Sequence, residues 1–501
     1  MAITHFTPQL ISRADGRSAV LAAAYRHCAK MTFEAEGRTV DYTAKRGMVH
    51  EEFLLPADAP QWARAMVADR SVAQASEAFW SKVEGFEKRA DAQLSKEYII
   101  ALPIELTTAQ NIALMRQFVA EHILPAGIIA DWVYHDDPGN PHAHLMTSLR
   151  ALTEDGFGPK RVAILGADGA PLRNRTGKIV YKLWAGDKNE FLAVRQGWID
   201  LQNHHLALAG LDVRVDGRSY AERGIDIVPT THLGVAAKAI ERKAKRLGRG
   251  PNLDRLRLFE EQRQVSAERV IRRPEIILEI ISREKSVFDE RDVAKVLHRY
   301  VDDPAAFGML LARILQSPDA IRLEHEGIDF ATGARTPARY TTRELIHIES
   351  EMAKRAIGLA GADTFGVRDQ IRNAVLDRHA LLSAEQRSAI EHVTATGRAA
   401  AVVGRAGAGK TTMMRAAREV WEAAGYHVVG GTLAGKAAEG LEKEAGIASR
   451  TLASWELAWS KGRSILDSRT VFVLDEAGMV ASRQMAGSLK GVGCRGGQLG
   501  L

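Results

Sequence analysis

Asp131-Trp132-Val133-Tyr134-His135-Asp136-Asp137-Pro138-Gly139-Asn140-Pro141-His142-Ala143-His144-Leu145-Met146 reads as two strands joined by a chain reversal. Asp, Pro, Gly and Asn are the residues that turn a backbone. Side chains alternate across a strand, so His142 and His144 share one face. If the hairpin sets His135 opposite His142, a third imidazole joins that face. Three imidazoles converging from two adjacent strands make a divalent-metal site with open coordination positions, able to polarise a phosphate oxygen. Surface or hydrogen-bonded histidines are the plainer reading of a His-x-His pair, and an early tyrosine weighs against it.

That tyrosine lies in Ser18-Ala19-Val20-Leu21-Ala22-Ala23-Ala24-Tyr25-Arg26-His27-Cys28, a helix by composition, set off by Asp15-Gly16. Small alanines let this helix sit close to a sheet, so Tyr25 would point into a cleft; a half-buried core tyrosine is the commoner alternative. Around these two stretches the chain alternates strands and helices. Ala2 to Phe6 and Glu97 to Leu102 read as strands, and Pro60 to Glu84 as a helix with proline at its start. Thr108 to His122 reads as an amphipathic helix with Leu114, Phe118 and Val119 inward. Trp198 to Gly210 is helical and Asp212 to Asp216 a last strand. The order predicts an α+β domain with an antiparallel sheet over residues 1–235. A basic linker helix is expected over 236–274 and a helical or winged-helix-like module over 275–375.

The chain has 501 residues, 46% hydrophobic and 26% charged, which suits several ordinary soluble domains. Its 68 Lys and Arg against 62 Asp and Glu give +6, a mild bias toward polyanions. Two cysteines, Cys28 and Cys494, make no disulfide framework, so a reducing cytoplasm is expected. No signal peptide and no membrane insertion are expected, because no long apolar run occurs.

A different pattern begins near residue 376. Ala399 to Val403 reads as a buried parallel strand, running into Gly404-Arg405-Ala406-Gly407-Ala408-Gly409-Lys410-Thr411 and a helix. This is G-x-x-x-x-G-K-T in the strand–loop–helix setting that its chemistry needs. Gly404, Gly407 and Gly409 would let backbone N–H groups wrap phosphate, Lys410 would reach the β/γ oxygens, and Thr411 would ligate Mg²⁺ of bound ATP. Thr470 to Leu474 supplies the second strand; Asp475 would hold the Mg²⁺ shell and Glu476 would orient water. Gln386 is placed to read adenine. Residues 376–486 are therefore expected to form a partial α/β RecA-like domain, and residues 487–501 an irregular Gly-rich tail.

Ala22-Ala23-Ala24-Tyr25-Arg26, His135 and Asn140-Pro141-His142-Ala143-His144 together resemble the MobA/MobL relaxases of conjugative plasmids, nickases of HUH type. The nucleotide motifs resemble the superfamily 1 helicase half of Ti-type conjugative transfer relaxases. The resemblance implies that Tyr25 attacks single-stranded DNA at a plasmid transfer origin, leaving a 5′-phosphotyrosyl link. It implies that His135, His142 and His144 hold Mg²⁺ or Mn²⁺, with Asp136 or Glu97 orienting a histidine. Arg26, Lys160, Arg161, Thr432 and Lys436 become DNA-contact candidates, and accessory relaxosome and coupling proteins the expected partners. The motor is expected to be incomplete, because only 25 residues follow Glu476 (501 − 476 = 25). The competing readings are an ATP-dependent DNA-repair or motor subunit and a non-catalytic DNA-binding fragment.

Overall fold

The computed structural model describes residues 5–33, 36–137, 139–166, 169–174, 176–228, 254–328, 335–404, 408–463, 466–495 and 498–500. The chain forms two compact units: Met1–Leu211 with Leu433–Ala437, and Asp212–Thr432 with Ala438–Leu501.

In the first unit the strands up to Thr147 are β1 (Phe6–Ser12), β2 (Lys30–Phe33), β3 (Arg38–Asp41), β4 (Met48–Leu54), β5 (Gln93–Ala101), β6 (Ala130–Asp137) and β7 (Asn140–Thr147), and two short antiparallel pairs follow them. Five of them make an antiparallel sheet in the order β1-β5-β7-β6-β4. The helices are α1 (Ala19–Arg26), α2 (Gln61–Val67), α3 (Val72–Phe86), α4 (Thr108–His122) and α5 (Lys188–Leu208). Ser18 caps α1 by accepting from the Leu21 N–H. The four side chains Ala19, Val20, Ala23 and Ala24 are fully buried with Phe79 and Trp80 of α3. Their small size lets α1 approach so closely. On the opposite sheet face Phe6 meets Phe118 of α4 edge-on, and Phe118 meets Trp198 of α5 at 5.2 Å. Each such ring contributes roughly 1.5–3 kcal/mol by burial.

The single helix expected over Pro60 to Glu84 is two, because Ser71 and Gln74 form a capping box that restarts the chain. The first strand begins at Phe6, and residues 1–4 lie outside those described. The compact unit that these elements form runs to Leu211. Asp212 to Asp216 is no strand: Asp212 accepts from the Ser286 and Val287 N–H groups, and the Arg214 N–H donates to Glu284, which ties this segment to the second unit.

In the second unit, residues 229–253 lie outside those described, and the helix Asp254–Arg272 buries Ser266 and Val270. Helices Ile276–Glu284, Glu290–Leu297 and Pro304–Leu315 precede an antiparallel pair, Ala320–Glu324 with Arg339–Thr342, the element order of a winged helix. A parallel sheet follows, ordered Ala399–Ala400, Gln498–Gly500, Thr470–Leu474, His427–Thr432, Ala448–Thr451. The run Ala399 to Val403 pairs with Gln498–Gly500 only over its first two residues, and Val403 is exposed. The expected irregular tail is instead the helix Ser482–Arg495 and that short strand. Gly491 brings this helix against the Trp459 ring, where a Cβ would meet ring carbons at 3.0 Å.

Candidate active site

The hairpin register pairs His135 with His142 across β6 and β7. The turn closes on Gly139 at φ +75°, a conformation glycine adopts without strain. Ring centroids lie 5.6 Å apart for His135–His142, 5.6 Å for His135–His144 and 5.2 Å for His142–His144. The His142 Nδ1–H donates to the Asn140 carbonyl at 2.8 Å and the His144 Nδ1–H to Glu97 at 2.7 Å. His135 bonds the Arg26 backbone, and its Nε2 is buried without a partner. With Nδ1 engaged in all three, the Nε2 lone pairs are left for a ligand. Burial first, then the positive charges of Lys45 and the neighbouring histidines, press the His135 pKa down to about 4, so its ring is neutral at physiological pH.

Among the described residues no three His, Cys, Asp or Glu side chains are placed so as to hold a metal ion as they stand. Rings bound through one nitrogen at about 2.1 Å would stand roughly 4.5–5.5 Å apart between centroids. Two of the three separations, at 5.6 Å, lie just beyond that range, so small ring rotations would have to close it. Three imidazoles with a bare, buried nitrogen among them fit a divalent ion, and nitrogen ligands suit Mn²⁺ better than the oxygen-preferring Mg²⁺.

Glu97, in β5, accepts from His144 and, through Oε2, from Gln9 at 2.5 Å; the Arg26 guanidinium forks onto both of its oxygens. Burial raises its pKa, but His144 and Arg26 outweigh that and bring it to about 2. Arg26, expected at a DNA surface, is thus buried beneath α1, because the helix turns it toward the sheet while its neighbour Tyr25 faces out, 46% exposed. Tyr42 meets the Tyr25 ring edge-on at 5.3 Å, and Lys45 Nζ stands 3.8 Å over its centroid. Asp136 lines up with Pro141 and donates its N–H to Gly47; Glu97, not Asp136, is the carboxylate on a histidine of the trio.

Next along α1's end, His27 was not singled out by sequence. Its ring donates to Glu51 at 2.6 Å and to Asp131 at 2.9 Å, and Asp131 also accepts from Ser76 and Trp80 at 2.6 Å each. Nothing local signals this clamp, whose partners lie 24 and 104 residues away. Burial lowers the His27 pKa, but Asp131 and then Glu51 overcome it and raise it to about 9. A raised pKa stabilises the fold fully below the ordinary value of 6.5, and that stabilisation is lost as pH climbs through 9. Its size is roughly 3 kcal/mol. Urea unfolding at pH 6 and pH 9.5 should show that loss, and His27→Gln should flatten it.

In the second unit, Gly404, Lys410, Asp475 and Glu476 line one cleft of about 450 Å³. Gly409 sits at φ +72° ahead of the helix Lys410–Ala423, which carries Thr411 in its first turn. Gly407 lies outside the described residues. Lys410 Nζ donates to the Gly404 carbonyl at 3.1 Å, and the Gln386 amide to Ala408 at 3.1 Å, so Gln386 braces the loop here rather than facing a base. Of the DNA-contact candidates, Thr432 is fully buried at a strand end, and Lys160 is tied to Glu87 at 2.8 Å and to the Gln93 carbonyl. Arg161 and Lys436 are exposed. No helix among the described residues is long and apolar enough to cross a membrane.

Residues 17–243 match the MobA/MobL family and residues 381–500 match an AAA domain. The chain is 35% identical over 318 residues to the mobilization protein MobL of Acidithiobacillus ferridurans, covering 58% of this chain and 75% of that one. It belongs to the MobA/MobL family. It is also 65% identical over 486 residues to a probable conjugal transfer protein TraA of Sinorhizobium fredii and 61% identical over 492 to the conjugal transfer protein TraA of Agrobacterium fabrum. Those matches take in 97% and 98% of this chain but 44% and 45% of the relatives, so the chain spans less than half their length.

Proposed function

We propose that this chain is a conjugative relaxase that nicks single-stranded DNA at a plasmid transfer origin, with Tyr25 as nucleophile. The observation that carries the reading is the trio of imidazoles, with the buried His135 Nε2 unspent, beside the end of the helix that presents Tyr25. Tyr25 Oη forms a bond to the scissile phosphorus and the P–O3′ bond breaks, giving a 5′-phosphotyrosyl link and a free 3′-OH. One O–H is lost at Tyr25 and one gained at the 3′ oxygen, so the proton count balances. A divalent ion, Mn²⁺ in preference to Mg²⁺, held by His135, His142 and His144, would supply Lewis-acid stabilisation of the phosphate charge. Glu97 keeps His144 in the tautomer that offers Nε2, and the Arg26 backbone does the same for His135. Because the ester is exchanged rather than hydrolysed, rejoining needs no ATP. In the second unit Lys410, Thr411, Asp475 and Glu476 would hold ATP and its Mg²⁺. Relaxosome and coupling proteins would be the partners.

The test is to incubate the chain with single-stranded oligonucleotides tiling the transfer origin and Mn²⁺, digest with trypsin and map the DNA-linked peptide by mass spectrometry. The linked residue should be Tyr25. DNA-stimulated ATP hydrolysis with no adduct would instead mark a motor subunit, and DNA binding with neither would mark a non-catalytic fragment.

A further inference from the structure

Lys45 comes from a tight turn just ahead of β4, in which Asp41 accepts from the Thr43 N–H at 2.9 Å and the Lys45 N–H donates to Tyr42 at 2.9 Å. That turn throws its side chain back over α1. Its Nζ lies 3.8 Å from the Tyr25 ring centroid and donates to the Tyr25 carbonyl at 3.2 Å. Three residues later Met48 pairs with His135, which sets the same turn beside the imidazoles. Lys45 therefore adjoins both the nucleophile and the histidine trio, and a phosphodiester undergoing attack must lie between those two. A cation at that point meets the negative charge that grows on the non-bridging oxygens as phosphorus becomes five-coordinate.

We propose that Lys45 is a further catalytic residue of the nicking reaction, its ammonium moving off the Tyr25 ring to bind a non-bridging oxygen of the scissile phosphate. It transfers no proton. In the free protein the cation–π contact holds the ring in place, and the incoming phosphate replaces the ring as the ammonium's partner. This rests on the nicking reading above.

The test compares Lys45→Met and Lys45→Arg with the wild type, using the oligonucleotide that forms the adduct and a copy with a neutral methylphosphonate at the mapped nick. In metal-free buffer, fluorescence anisotropy of the wild type should show binding weakened about tenfold by the methylphosphonate, the worth of one charge-assisted hydrogen bond. Lys45→Met should bind the normal strand about tenfold more weakly, and the methylphosphonate should cost it nothing further. With Mn²⁺, single-turnover adduct formation by Lys45→Met should fall on the order of 10²–10³-fold, and Lys45→Arg should restore most of it. If the methylphosphonate costs Lys45→Met as much as it costs the wild type, the phosphate contact is wrong even though the wild type nicks. If the wild type forms no adduct at all, the nicking reading itself falls, and this proposal with it.

Discussion

Tyr25→Phe protein should form no DNA-linked species under conditions where the wild type links most of its oligonucleotide. The substitution removes one oxygen from a side chain that is 46% exposed and leaves the ring packed on Tyr42 and beneath Lys45. Stability should therefore change by less than about 0.5 kcal/mol, as for an ordinary surface substitution. Strand binding should be preserved within about twofold, because the buried hydrogen bonds of the site do not involve the phenol. The informative result is the split between intact affinity and absent chemistry, read by gel shift and by a denaturing gel on the same samples. Residual adduct at a wild-type rate would move the nucleophile elsewhere, with Tyr42 the nearest phenol in hand.

Glu97→Ala should destabilise the first unit strongly. Glu97 is fully buried and holds Arg26, Gln9 and His144 at once. Its loss strands the Arg26 guanidinium in the interior, which costs about 3–5 kcal/mol. For a unit of about 200 residues the melting temperature should drop by roughly 10 °C. His144 loses the acceptor that fixes its tautomer, so metal affinity should fall by about 10–100-fold in whatever fraction stays folded. Isothermal titration with Mn²⁺ and a thermal melt separate the two effects. The carboxylate also carries an acid limit. Its folded pKa lies below the ordinary 4.5, so its contribution is complete above 4.5 and disappears as pH falls through about 2. A Glu97→Ala protein should lack that portion of the wild-type acid transition.

The parts that the sequence made legible are those governed by local rules. Strand alternation and a Pro-Gly turn were enough to place His135 opposite His142. The helix Thr108–His122 was readable to the residue, because Thr107 and Gln110 cap it and its inward face is apolar. Lys410 and Asp475 could be brought to one cleft by motif alone. What escaped was decided by pairing across long stretches of chain. Arg26 beside an exposed tyrosine gives no sign that Glu97, 71 residues away, will claim it. His27 looks like a helix end until Glu51 and Asp131 are folded against it. The Gly-rich stretch from Gly487 was unreadable for another reason: glycine usually breaks a helix, and only the Trp459 ring beneath explains why Gly491 belongs in one.

At the end of α1, three consecutive residues meet three different fates: Tyr25 opens outward, Arg26 plugs the sheet and His27 bridges two acids. Consecutive helix positions differ by about 100° of rotation. A single inserted or deleted residue between Ser18 and Tyr25 would swap these assignments, pointing a cation or an imidazole where the phenol belongs. The count of residues in that short helix is therefore frozen in a way its composition is not.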